Sequence, residues 1–146
     1  MNYRYSLVFV PLILSSLIQY MLPSDFSKTQ KVFFQPPSYV FGIVWTVLYI
    51  LLGIYLYRFS LTFNYKSILC VFMLILYVIN ITLNVSWTPV VNRMRQYKRG
   101  VYMIGMMILS TVLLITLEND KYNKSLLVPY VVWLLFALLL NVELAR

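Results

Sequence analysis

Histidine is absent from this chain of 146 residues, which also contains only one cysteine and four acidic residues. General acid–base pairs and multi-ligand metal sites are built from these residue types, so the composition argues against hydrolytic and metal-dependent chemistry. We therefore predict no metal site and no bound cofactor. The single cysteine, Cys70, has no second cysteine with which to form an internal disulfide.

Charged residues are also scarce, at 11%, whereas hydrophobic residues make up 62% of the chain. A soluble domain of this length cannot bury so much apolar surface, which excludes a soluble globular enzyme. Five apolar runs are each close to the roughly 20 residues that cross a bilayer as a helix. The runs cover residues 7–22, 39–57, 67–91, 101–117 and 126–144. The breaks between them fall at residues 23–37, 58–66, 92–100 and 118–124.

These runs predict helices rather than strands. The bilayer core offers no water to backbone polar groups, and the runs are too long and too uniformly apolar for the alternating strands of a barrel. The predicted fold is an all-α membrane protein, a five-transmembrane-helix bundle forming a single domain over residues 1–146. The lipid bilayer surrounds such a bundle and is its expected partner.

The basic residues predict an orientation in the membrane. The chain carries a net charge of +8 from 12 basic residues. Five spans place one group of these cations on one side, namely Lys28, Lys31, Arg93, Arg95, Lys98, Arg99 and Arg146. The smaller group on the other side is Arg4, Arg58, Lys66, Lys121 and Lys124. Cytoplasmic loops carry the excess of Lys and Arg, so we expect the first loop, the third loop and the C-terminus in the cytosol.

Four cations of the third loop form a cluster beside the membrane: Arg93, Arg95, Lys98 and Arg99. Such a cluster is typical of topology signals and of contact with anionic lipids. Guidance of an acidic ligand toward the membrane is the alternative. Neither interpretation requires a nucleic-acid partner.

Polar and aromatic residues form stripes along three of the predicted helices. The stripes are Tyr77, Asn80, Asn84 and Trp87 on the third helix, Tyr130, Trp133, Ala137 and Asn141 on the fifth, and Phe41, Trp45, Leu48 and Leu52 on the second. Helical spacing puts each set on one face, and amides are unfavourable against lipid, so the asparagines should face the bundle interior. The stripes either join the helices by packing and hydrogen bonds or line a pocket for a flat, largely apolar ligand.

The residues of the spans also limit the chemistry of such a pocket. No carboxylate or histidine lies deep within a span, which disfavours a proton relay. Without histidine, haem iron would have to be bound by Cys70, a methionine or a tyrosine. A metal-free macrocycle fits this set of residues better.

Three motifs resemble a known family. They are Gln35-Pro36-Pro37-Ser38-Tyr39-Val40-Phe41-Gly42-Ile43-Val44-Trp45-Thr46-Val47-Leu48-Tyr49, then Leu83-Asn84-Val85-Ser86-Trp87, then Pro129-Tyr130-Val131-Val132-Trp133-Leu134-Leu135-Phe136-Ala137 with Leu140-Asn141. Their order and spacing resemble the TspO/MBR family, the translocator proteins or peripheral-type benzodiazepine receptors. The resemblance implies a five-helix membrane protein, often a homodimer, whose pocket binds porphyrins such as protoporphyrin IX. In some members it also implies binding of cholesterol and synthetic ligands.

The resemblance also implies roles for particular residues. Trp45 and Trp133 correspond to tryptophans implicated in porphyrin chemistry in bacterial members, and the loop with Pro36-Pro37 would cover the pocket. Together with the stripes, this gives ten candidate ligand-binding residues: Phe34, Phe41, Trp45, Tyr49, Asn80, Asn84, Trp87, Tyr130, Trp133 and Ala137. The chain departs from the family pattern in two places. It lacks a proline and a tryptophan that the family commonly has before Gln35, and it lacks the tyrosine that follows Leu140-Asn141 in the sterol motif of animal members.

Three functions follow from these observations. The first is binding of a porphyrin of the protoporphyrin IX class for sensing, sequestration or transport. The second is an enzyme-like activity in which Trp45 and Trp133 act as catalytic residues in the light-driven oxidative breakdown of the porphyrin. The third is sterol binding, or a role as partner subunit of a membrane complex.

Overall fold

The structure, a computed structural model, describes residues 3–23 and 32–146. A short 3-10 segment, Tyr3–Phe9, leads into the first helix. The helices are α1 (Val10–Met21), α2 (Ser38–Thr62), α3 (Ile68–Thr88), α4 (Tyr97–Leu117) and α5 (Lys121–Leu144), and a π-helical turn, Pro89–Arg93, extends α3. Within these residues there is no strand, and five segments are long and apolar enough to cross a membrane. The predicted all-α membrane fold with five spans is confirmed.

Several helices extend further than the apolar runs predicted. Arg58 lies inside α2, which runs on to Thr62, and α4 begins at Tyr97 rather than at residue 101. The first turn of α5 contains Lys121 and Lys124, which the sequence placed in the linker. The long stems of Lys and Arg let the charged group reach water while the backbone stays helical, so a change from apolar to basic residues does not end a helix.

Polar side chains determine where two of the helices begin. The Ser67 hydroxyl accepts a hydrogen bond from the Cys70 amide at the start of α3. The Asp120 carboxylate accepts from the amides of Tyr122 and Asn123 at the start of α5. Each cap satisfies amides that have no carbonyl partner within the helix. The hydrogen bond from the Asn123 amide, together with those from Tyr122 and Arg58, holds the pKa of Asp120 below its ordinary value.

The five helices pack as a closed ring. α2 packs against α1 and α5, α4 packs against α5 and α3, and α3 also contacts α1. The order around the ring is α1, α2, α5, α4, α3. Side chains of α3 also reach α2, where the Tyr77 hydroxyl donates to the Leu52 carbonyl at 2.9 Å. The Tyr3–Phe9 segment extends α1 along α2.

The two ends of the ring differ in their side chains. At the Arg58 end, named for that residue, the Arg58 guanidinium donates to the Asn123 side chain at 2.6 Å and to Asp120 at 3.1 Å. Arg4 donates to the backbone carbonyl of Ser60 at 3.2 Å at this same end. These contacts join the N-terminal segment, the end of α2 and the start of α5. The opposite end, where α2 and α4 begin, is called the Arg95 end below.

Candidate functional site

The ring encloses a cavity of about 790 Å³. Its wall includes residues of all five helices, the Pro89–Arg93 turn and the segment from Val32 to Pro37 before α2. The α2 residues that line it run from Ser38 to Tyr49, in the half of the helix nearest the Arg95 end. Its volume falls within the range of about 300–1,000 Å³ that is typical of small-molecule and cofactor sites.

Aromatic rings form much of the cavity wall. Trp45, Trp87 and Trp133, the three tryptophans of the chain, all line the cavity. The Trp45 and Trp133 rings are perpendicular, with centroids 6.5 Å apart, and the Phe41 ring lies 5.6 Å from Trp133. The Trp45 ring also stacks on Tyr49 at 5.5 Å. Edge-to-face and offset pairs of this kind are favourable aromatic arrangements, and they hold the indoles in fixed orientations.

Hydroxyl and amide groups provide the polar part of the wall. None of the described residues that line the cavity is charged. Three buried polar atoms on lining residues have no hydrogen-bond partner: Nε1 of Trp87, Nε1 of Trp133 and Oδ1 of Asn141. Buried polar atoms are almost always paired, so these two donors and one acceptor have unused hydrogen-bonding capacity.

A chain of hydrogen bonds runs inward from the cavity wall. The Tyr49 hydroxyl donates to Asn84 Oδ1 at 2.7 Å, and the Asn84 amide donates to the Tyr130 hydroxyl at 2.8 Å. The Tyr130 hydroxyl donates to Asn80 Oδ1 at 2.8 Å, and the Asn80 amide donates to the Met107 carbonyl at 2.9 Å. Tyr49 and Asn84 line the cavity, whereas Asn80 and the fully buried Tyr130 lie behind them. This chain of hydrogen bonds joins α2, α3, α5 and α4 behind the cavity wall.

Seven of the ten residues predicted to bind a ligand line this cavity. They are Phe41, Trp45, Tyr49, Asn84, Trp87, Trp133 and Ala137. Asn80 and Tyr130 do not line it: they are buried behind Tyr49 and Asn84, where they bond to each other and to Met107. Phe34 does not line it either: its side chain is 48% exposed, whereas its neighbour Gln35 does line the cavity.

The structure adds polar residues of α1 that the sequence interpretation did not include. Ser15, Ser16 and Gln19 line the cavity, and the Gln19 amide donates to the Ser15 hydroxyl at 3.4 Å. The sequence could have indicated these residues. Polar side chains within an apolar span are expected to face the bundle interior, and this applies to Ser15, Ser16 and Gln19 as it does to Asn80. Asn141, which that rule placed in the interior, is also part of the cavity wall.

Comparisons with known proteins agree with this architecture. The model of the TspO/MBR family matches residues 6–146. The chain is 28% identical over 123 residues to Protein CrtK of Rhodobacter capsulatus, a match that covers 83% of this chain and 76% of the relative. It is 29% identical over 119 residues to the tryptophan-rich protein TspO of Archaeoglobus fulgidus, covering 80% and 74%. It is 26% identical over 123 residues to a tryptophan-rich sensory protein of Cereibacter sphaeroides, covering 83% and 75%.

The family model therefore covers helices α1 to α5 and every described residue of the cavity wall. The curated relatives match over about three-quarters of their own length as well. With its five membrane-spanning helices, this chain belongs to the TspO/MBR family.

Proposed function

We propose that this protein binds a tetrapyrrole of the protoporphyrin IX class within the membrane and acts in porphyrin sensing, sequestration or transport. The observation that carries the proposal is the cavity of about 790 Å³, whose described wall includes three indoles and no charged side chain. A porphyrin ring is flat, aromatic and largely apolar, and aromatic walls with a few polar groups suit such a ligand. One relative is named a tryptophan-rich sensory protein, which supports the sensing role.

A fluorescence titration with protoporphyrin IX tests the proposal. All three tryptophans line the cavity, so a bound porphyrin should quench most of the tryptophan emission with a saturable dependence on concentration. The measurement uses detergent-solubilised protein and is corrected for partition of porphyrin into protein-free micelles. We expect a Kd in the micromolar range or below, about −8 kcal/mol of binding free energy or stronger.

Two glycine variants make the titration specific to the cavity. Gly42 lies on the cavity face of α2 beside Trp45 and Thr46, and a Cβ added there meets no atom within 4 Å. Gly105 in α4 is equally open but does not line the cavity. A ring at residue 42 takes up ligand space, so Gly42→Phe should weaken porphyrin binding about tenfold or more, or ~1.4 kcal/mol. Gly105→Phe should bind as the wild type does.

The proposal is wrong if the wild-type protein shows no saturable quenching while circular dichroism shows intact helices. It is also wrong if both glycine variants bind with the wild-type affinity. In that case the porphyrin associates elsewhere on the protein or with the detergent.

A second candidate function is supported by one specific observation, the contact between Trp45 and Trp133 in the cavity wall. In this function a light-excited porphyrin takes an electron from one of the two indoles and passes it to dioxygen, which is reduced to superoxide. The indole radical cation then recovers an electron from the porphyrin, so the porphyrin is the net electron donor and dioxygen is the oxidant. No general base is required.

The other expectations from the sequence and from the family resemblance remain predictions. These are the homodimer, sterol binding, the role as partner subunit of a membrane complex, and the cytosolic position of the first loop, third loop and C-terminus.

A further inference from the structure

A second concavity, of about 400 Å³, lies at the Arg95 end of the ring. It is formed by residues 95–99, at the start of α4, and by Leu144 and Ala145 at the end of α5. Arg95, Lys98 and Arg99 supply three cations to its wall. This concavity is called the basic crevice below.

The basic crevice adjoins the cavity. Leu144 lines both. Gly100, which follows Arg99, packs so closely against the cavity wall that an added Cβ would lie 2.7 Å from Asn141 Oδ1 and 3.4 Å from Trp87 Nε1. Both Asn141 and Trp87 line the cavity. Lys98 and Arg99 are therefore within one helical turn of Gly100, a residue that packs against the cavity wall, and Arg95 lies two residues before the start of α4.

No acidic side chain among residues 3–23 and 32–146 pairs with the cations of the basic crevice. In the part of the chain that the structure describes, the two ion pairs are Arg58–Asp120 and Arg146–Glu143, and neither includes a crevice residue. Long, flexible basic side chains in this position can reach an anion at the end of the cavity.

The start of α4 adds to the positive potential. Its N-cap residue, Gln96, makes no side-chain hydrogen bond to the first-turn amides. Free amides at a helix N-terminus carry partial positive charge and donate hydrogen bonds to anions, and here they adjoin the three cations.

The described wall of the cavity provides no countercharge of its own. A carboxylate buried there would lose its hydration without gaining a cation, which strongly disfavours its charged form. Protoporphyrin IX carries propionate carboxylates along one edge of its ring, so the ring and the carboxylates need different surroundings. The cavity provides apolar surroundings for the ring, and the basic crevice provides cations for the carboxylates.

We propose that the basic crevice is the subsite for the carboxylate groups of the ligand whose apolar ring occupies the cavity. This inference rests on the proposed function and extends it, because it predicts that the protein selects tetrapyrroles with carboxylates at one edge over neutral ones. Arg95, Lys98 and Arg99 are the residues that determine this selectivity.

The test compares protoporphyrin IX with its dimethyl ester, which keeps the ring and lacks the negative charges. Both are titrated against the wild-type protein in neutral detergent, with correction for partition into empty micelles. The variant protein carries Arg95→Asn, Lys98→Gln and Arg99→Gln. Asparagine is chosen at residue 95 because the backbone there has a positive φ of 53°, a conformation that asparagine tolerates. The matched control is Arg93→Gln, since Arg93 is an exposed cation of the same loop that does not line the crevice.

We expect the wild-type protein to bind the acid more tightly than the ester. The triple variant should weaken binding of the acid about tenfold or more, as expected for the loss of charge-assisted hydrogen bonds, and leave binding of the ester unchanged. Added salt should weaken binding of the acid alone. Arg93→Gln should retain the wild-type preference.

Other results would overturn the inference in distinguishable ways. Equal affinities of the wild-type protein for acid and ester would show that the crevice does not contact the ligand, while the proposed function would stand. Equal losses for both ligands in the triple variant would indicate a structural role. If the substitutions remove co-purifying anionic phospholipid and leave the preference for the acid intact, the crevice is a lipid headgroup site. Failure of both ligands to bind the wild-type protein would instead contradict the proposed function.

Discussion

Asn80 and Asn84 show how the surroundings of a residue decide its role. They lie one helical turn apart on α3, and both are buried, as the sequence predicted. Asn84 forms part of the cavity wall, whereas Asn80 donates its amide hydrogens to the Met107 carbonyl and to two hydroxyls of α4. In hydrocarbon an amide must find a partner, which explains why both face inward. Which of them can meet a ligand depends on the helix packed opposite each one.

The two indoles in contact, Trp45 and Trp133, allow ring shape to be separated from ring chemistry. Phenylalanine keeps most of the aromatic surface but is much harder to oxidise than an indole. If these residues only shape the pocket, Trp45→Phe and Trp133→Phe should weaken porphyrin binding by at most about 1 kcal/mol, the contribution of an aromatic pair. If they donate electrons, the double variant should bind porphyrin and lose its light-driven decay. The measurement is the loss of porphyrin absorption under constant illumination.

The control is Trp87→Phe, which replaces the remaining indole of the cavity outside the Trp45–Trp133 contact. It should retain the wild-type decay rate. Equal decay rates in the wild-type protein and in the Trp45→Phe, Trp133→Phe double variant would rule out the photochemical function and leave the binding function standing.

At the scale of elements, the N-terminal segment depends on a single glycine. Gly53 in α2 is buried, and an added Cβ would collide with the Val8 carbonyl of the Tyr3–Phe9 segment. The absence of a side chain at Gly53 lets the two backbones approach closely, as small residues do at helix contacts in membranes. This contact fixes the start of α1 against α2, and α1 in turn carries Ser15 and Gln19 to the cavity.

Gly53→Ala should therefore destabilise the protein by about 1–3 kcal/mol, the usual cost of overpacking a closely packed site. The matched control is Gly105→Ala, because Gly105 lies in α4 with open space around it. Alanine there should be neutral or stabilise the helix by up to about 1 kcal/mol. Loss of helical circular dichroism during titration with a denaturing detergent measures both effects. A Gly53→Ala variant as stable as Gly105→Ala would show that the segment does not pack as described.

At the scale of the whole molecule, the ring has two chemically different ends. The Arg58 end pairs its arginine with Asp120, whereas the cations of the basic crevice at the Arg95 end have no acidic partner among the described residues. The segment before α2, the Pro89–Arg93 turn and the end of α5 all contribute to the cavity wall on that side. The sequence assigns seven of the 12 basic residues to the first loop, the third loop and the C-terminus, so we expect the Arg95 end to face the cytosol.

Cysteine labelling in intact cells tests this orientation. In a Cys70→Ser background, single cysteines are placed at the exposed residues Phe33 and Met94 of the Arg95 end and at the exposed Asn64 and Asn119 of the Arg58 end. A membrane-impermeant thiol reagent added from outside should label only the second pair, and both pairs should react after the cells are opened. The reverse pattern would invert the orientation. Labelling of one residue from each pair would contradict the five spans.

The sequence by itself determined the class of protein, the number of spans and the direction in which polar residues face. These properties follow from local chemistry: a run of apolar residues has to be helical in a bilayer, and an amide within it has to turn away from lipid. The family motifs around Trp45, Asn84 and Trp133 were also recognisable without a structure, because each motif is a continuous stretch of sequence. Helix ends were less predictable, because basic side chains such as Arg58 and Lys121 extend from a helix toward water without ending it.

Only the tertiary structure decided which inward-facing residues share a cavity. The closing of the ring by α1 brings Ser15 and Gln19 into the wall, and the packing of α4 on α3 removes Asn80 from it. The basic crevice likewise forms because the end of α5 lies beside the start of α4, two segments more than 40 residues apart in the chain. Hydrophobic periodicity predicts which face of a single helix is turned inward. A cavity also depends on which helix packs against that face, and the packing of the whole ring determines this.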